Sequence, residues 1–79
     1  MSFGTKLEEY RRCYGMNKKT LAERVGITPS HLGEIENDKV NPPKARTIHR
    51  IGEVLRLSSE EVTDLLEEAK NTKLSSKGV

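Results

Sequence analysis

The chain has 79 residues, a third of them charged, with two Tyr, one Phe, no Trp and a net charge of +2, which suits one small helical domain near the lower size limit for a core-stabilised fold. No apolar run approaches the roughly 20 residues needed to cross a membrane and no signal peptide is legible, so no membrane role and a cytoplasmic setting are expected. The lone Cys13 cannot form an internal disulfide and has no metal-ligand spacing with His31 or His49, so it reads as a reduced thiol at a helix surface.

In chain order, Ser2 is suited to cap a first helix from Phe3 to about Tyr14, ended by Gly15, with Phe3, Leu7, Tyr10 and Tyr14 on one face. Asn17 caps a second helix from Lys18, and Met16 is placed to pack on Leu21 as a hydrophobic staple. Leu21 and Val25 share a face, Ala22 beside them admits a second helix at close range, and Gly26 supplies the left-handed turn. Ile27 returns to the core, Thr28 caps a third helix, and Pro29 sits in its first turn, where a missing amide hydrogen costs nothing. Leu32 and Ile35 seat that helix on the second. Pro42 and Pro43 are expected to close the next loop and open a fourth helix carrying Ile48, Ile51, Gly52 and Leu55. Ser58 and Glu61 form a capping box, with Leu57 and Val62 as a staple, for a last helix burying Val62, Leu65, Leu66 and Ala69. The expectation is an all-α fold of five helices, residues 1–70, followed by a mobile tail, residues 71–79.

Two short helices meeting across a glycine turn at Leu21–Asn37 form a helix-turn-helix signature, which points to DNA. Charge is segregated in the same sense. Residues 1–57 carry eleven Lys or Arg against seven acids, residues 58–69 five acids and no base, and residues 70–79 three Lys and no acid. That division fits phosphate binding by the first part and another task, dimer contact or solubility, for the acidic helix.

From Phe3 to about Ala69 the chain resembles the five-helix DNA-binding domain of the Cro and lambda-repressor-like family, the XRE-type regulators. The resemblance rests on Asn17-x3-Leu21-Ala22-x3-Gly26-Ile27-Thr28, then Leu32-x2-Ile35-Glu36-Asn37, then Pro43-x2-Arg46-Thr47-Ile48 with Ile51 and Leu55. It implies a structural clamp between Arg11 and Glu36. It also implies that residues 28–36 lie in the major groove, with Thr28, Pro29, Ser30, Gly33 and Glu34 offered to base edges. Asn17, Lys18, His31, Asn37, Lys39, Lys44 and Arg46 would then contact phosphates and set register.

The reading face departs from the family habit of Gln, Arg or Asn there, since Pro29 and Gly33 offer at most a thymine-methyl contact or room for the DNA. Glu34, beside a polyanion, is tolerable if it accepts from a cytosine amino group or pairs with Lys39 or another base. His31 is placed either to reach a phosphate or to pack, neutral, beside Tyr14 or Leu32. His49 is expected on the outer side of its helix.

No enzyme, metal or cofactor is expected, because neither histidine has a carboxylate or Cys at ligand spacing and no Gly-rich phosphate loop follows a strand. The expected function is a sequence-specific regulator, a repressor that binds a palindromic operator as a homodimer, with residues 58–70 as the dimer element. The alternative is an antitoxin or partner-dependent regulator, held by a toxin or a protein antagonist.

Overall fold

The computed structural model describes residues 1–72, and within them four of the five helices begin where a short polar side chain satisfies an otherwise orphaned amide. Ser2 accepts from the Thr5 amide at the start of α1 (Phe3–Cys13). Asn17 Oδ1 accepts from Thr20 at 2.8 Å to open α2 (Lys18–Val25). Thr28 Oγ1 accepts from His31 at 3.0 Å to open α3 (Pro29–Glu36), with Pro29 in its first turn. Ser58 and Glu61 cap each other reciprocally at the head of α5 (Ser59–Asn71).

The fourth helix is the exception. α4 (Ala45–Leu55) starts at Ala45 with Lys44 as its cap residue and no side-chain cap bond, not at the prolines. Pro43 disfavours helical backbone at Pro42, so the pair stays extended and holds the loop open before the helix. Tyr14 is a second correction. α1 ends at Cys13, Tyr14 leaves the helical path as its cap, and its ring is 45% exposed instead of joining the core.

Gly26 takes φ of 94° and its amide bonds back to Ala22, so α3 can turn immediately against α2. The five helices pack in a closed cycle: α1 on α3, α3 on α2, α2 on α4, α4 on α5 and α5 on α1. Phe3, Leu7, Leu21, Ala22, Leu32, Ile35, Ile48, Ile51, Leu55 and Leu65 fill its centre, each at most 3% exposed. Burying each large side chain of that set is worth about 1.5–3 kcal/mol relative to leaving it in water. Of the apolar stripe expected on α5, Leu65 is fully buried, while Val62, Leu66 and Ala69 are half-buried. No strand occurs among the described residues, and no described helix is long and apolar enough to cross a membrane.

Polar ties that local periodicity does not announce close the cycle. Asp38, just past α3, accepts from the Gly4 amide at 3.0 Å and from the Ser2 hydroxyl at 2.5 Å. Gly4 itself lies so close to the end of α3 that a Cβ would stand 2.4 Å from the carbonyl oxygens of both Ile35 and Glu36. Lys6 bridges to Asp64 at 2.5 Å and to Glu68 at 3.7 Å, and the Tyr10 hydroxyl donates to Asp64. Tyr14 donates to Glu61. Three of the acids on α5 are therefore engaged with α1 or its cap residue. α5 runs one residue past the expected boundary, and Thr72 Oγ1 accepts from the Phe3 amide. The rest of the expected mobile tail, residues 73–79, lies outside the described residues.

Candidate nucleic-acid interface

The two halves of α3 are in opposite environments. At its C-terminal end Glu36 is 4% exposed and grips Arg11, which is 7% exposed, through two parallel bonds, Nε to Oε2 at 2.7 Å and Nη2 to Oε1 at 3.1 Å. Arg11 spends a third donor, Nη1, on the Met16 carbonyl at 3.0 Å, which ties the clamp to the turn before α2. The hydrogen bonds to Glu36 hold the guanidinium charged and push its pKa above the ordinary arginine value. No buried side-chain polar atom among the described residues lacks a partner. The pair therefore fixes how α3 leaves the core without leaving a naked charge inside.

At the N-terminal end, Thr28, Pro29, Ser30, His31 and Glu34 are exposed, and Gly33 is half-buried. The Thr28 oxygen already accepts the cap bond, which leaves its hydroxyl proton and one lone pair for a partner. A Cβ on Gly33 would meet nothing within 4 Å. Nothing inside the fold asks for glycine there, although mid-helix glycine costs about 1 kcal/mol relative to alanine. His31 is exposed and not partly buried. Its side chain is 49% exposed, with Nδ1 at 3.5 Å from Glu34 Oε1. Glu34 thus meets a base on its own helix, whereas Lys39 reaches it only through a backbone bond from its amide to the Glu34 carbonyl.

The cations expected around this face stand at three places in the chain. Lys18 lies at the start of α2, Lys39 in the loop after α3, and Lys44 and Arg46 at the start of α4; all are exposed. None takes part in a salt bridge among the described residues. Asn37 is the exposed cap residue at the end of α3. Asn17 is exposed, but its carbonyl oxygen is committed to Thr20, which leaves its NH₂ group for an acceptor. His49 is exposed on α4. Three further cations lie on these helices and are not singled out by the motif: Lys19 and Arg24, exposed on α2, and Arg50 on α4, whose Nε donates to the Arg24 carbonyl at 3.4 Å.

Residues 2–66 match a helix-turn-helix domain family. A relative from Bacillus subtilis (strain 168), named as the uncharacterized HTH-type transcriptional regulator RghRB, is 36% identical over 58 residues, 73% of this chain and 42% of its own length. The chain thus spans about two fifths of the relative that it matches. No solved structure gives a significant match.

Proposed function

The chain belongs to the helix-turn-helix family of XRE, lambda-repressor-like type, and from that premise we propose that it regulates transcription by binding a specific double-stranded DNA site. In this reading it is a repressor that acts as a dimer on a roughly palindromic operator. The observation that carries it is the division of α3: one end clamped by a buried Arg11–Glu36 pair, the other presenting Thr28, Pro29, Ser30, Gly33 and Glu34 outward. A helix held this way can enter the major groove in a fixed pose.

Lys18, Lys39, Lys44 and Arg46, with His31, Asn17 and Asn37, supply phosphate contacts from three separate segments, which sets register on the duplex and makes affinity salt-dependent. Base preference comes from the short polar face, where Glu34 accepts from a cytosine amino group and Pro29 or Gly33 admits a thymine methyl. A single domain of this size covers too little DNA to stand out among non-specific sites, so two copies one helical turn apart, about 34 Å, are required.

Selection of bound duplexes from a random library by the purified protein at about 100 mM salt tests this. An enriched two-fold motif establishes the operator-binding reading; salt-sensitive binding to all duplexes alike removes it. A second reading has one observation in its favour, a groove lined by Pro42, Pro43, Ile48, Leu66 and Ala69 between the start of α4 and α5. There a protein antagonist or toxin would dock, and the chain's main task would be to hold that partner.

A further inference from the structure

We propose that His31 and Glu34 act as one recognition unit, in which protonated His31 positions the Glu34 carboxylate for base readout, so that binding DNA takes up a proton. This rests on the DNA-binding reading and deepens it. An acidic side chain on a face that meets phosphates is repelled unless something neutralises it. His31 is the one base within ion-pair reach of Glu34 among the described residues, its Nδ1 3.5 Å from Oε1, and both side chains are about half exposed, at 49% and 53%. The pair sits on the half of α3 that carries no other charged side chain, since Glu36 is buried against Arg11 at the far end.

The surroundings leave this pair to itself. Of the two helices packed on α3, α1 brings Glu8, Glu9, Arg11 and Arg12, with Arg11 taken by Glu36 and Arg12 by Glu8 at 3.0 Å. Its Lys6 is held by Asp64. α2 brings Lys18, Lys19, Glu23 and Arg24, none in a salt bridge with either member of the pair. The loop after α3 adds Asp38, committed to Ser2 and Gly4, and Lys39.

Phosphates arriving at this face favour the imidazolium, as any nearby anion does. Once charged, His31 cancels the Glu34 charge and holds Oε1, and Oε2 is left to accept from a cytosine amino group. The sign of the pH effect follows. Affinity that depends on the imidazolium is present at low pH, where the ring is charged. It is lost as pH rises and the ring gives up its proton.

The test measures affinity for the library-enriched duplex between pH 6 and pH 8. The wild-type protein should bind about three- to tenfold more tightly at pH 6. His31→Gln should flatten that profile, His49→Gln should keep it, and Glu34→Gln should both weaken the pH dependence and relax selectivity at one base pair. Undiminished pH dependence in His31→Gln, or in Glu34→Gln, overturns the pair while leaving DNA binding intact. Failure of the wild-type protein to select any duplex instead overturns the DNA-binding reading, and the recognition unit with it.

Discussion

The two ends of α3 are eight residues of one helix, yet they obey different rules. Its C-terminal end is built from a buried ion pair, the core residue Ile35 and a glycine of another helix that touches its last carbonyls. Its N-terminal end carries small or polar side chains in open solvent, with a glycine that nothing inside the protein requires. The contrast teaches that a helix of this length can separate a buried seat from an exposed head, the end proposed to read DNA, by position along its axis and not only by face. Substitutions at the seat should cost stability, and those at the head should leave the fold alone and alter binding.

The largest effect is expected from Arg11→Ala, which strands the Glu36 carboxylate inside and should cost about 3–5 kcal/mol in denaturant unfolding. A loss under 1 kcal/mol would mean that the seat does not depend on the pair. Gly4→Ala comes next. Its Cβ would collide with two backbone oxygens of α3 that cannot swing aside, so about 1–3 kcal/mol should be lost, with the end of α3 displaced.

At the start of α4, Lys44→Ala with Arg46→Ala should change stability by no more than about 0.5 kcal/mol, while the slope of log affinity against log salt falls by about 2 units without a change in base preference. Gly33→Ala sharpens the contrast most, because it should stabilise the fold by about 0.5–1 kcal/mol. If DNA approaches the backbone there, the same substitution weakens binding, so stability and affinity move in opposite directions.

The smallest effect concerns the tie between α1 and α5. The hydrogen bond from Lys6 holds the Asp64 carboxyl below the usual aspartate range and raises the Lys6 ammonium above its own. A depressed carboxyl contributes stability present above its unfolded pKa, about 3.9, and loses it as pH falls through the lower folded value. A raised ammonium contributes below its unfolded pKa of 10.5 and loses it as pH rises further. Asp64→Asn should therefore lower Tm slightly at neutral pH and remove part of the acid-side loss, and both effects are small because these groups are open to solvent screening.

The elements that could be read in advance are those whose signals are local. Asn17, Thr28 and Ser58 were legible as caps, and Gly26 as the turn, because each satisfies or bends backbone within a few residues of itself. The start of α4 was misplaced because a Pro-Pro pair reads equally as a first helical turn and as an extended lead-in, and here Pro43 forces the second. Tyr14 fits the spacing of Phe3, Leu7 and Tyr10, yet the helix stops one residue before it, and spacing carries no record of where a helix stops. Asp38 with Ser2 and Gly4, and Lys6 with Asp64, join residues far apart in sequence, where periodicity is silent. At the candidate site, the exposed positions of α3 followed from its apolar stripe. The pairing of Arg11 with Glu36 could be anticipated only through family resemblance, and the partner of Glu34 could be named only once His31 was seen to lie on the same turn.

The cyclic packing of the helices has a consequence for how the molecule comes apart. In a linear stack an end helix can fray while its neighbours persist, but here the first and last helices are each other's neighbours, joined by Phe3 to Thr72 and by Lys6 to Asp64. Detaching α1 therefore uncovers α3 and α5 together, and detaching α5 uncovers α1 and α4. So small a bundle, though made of short local helices, has few partial openings available to it, and the exposed end of α3 is either held in place by the whole ring or not held at all.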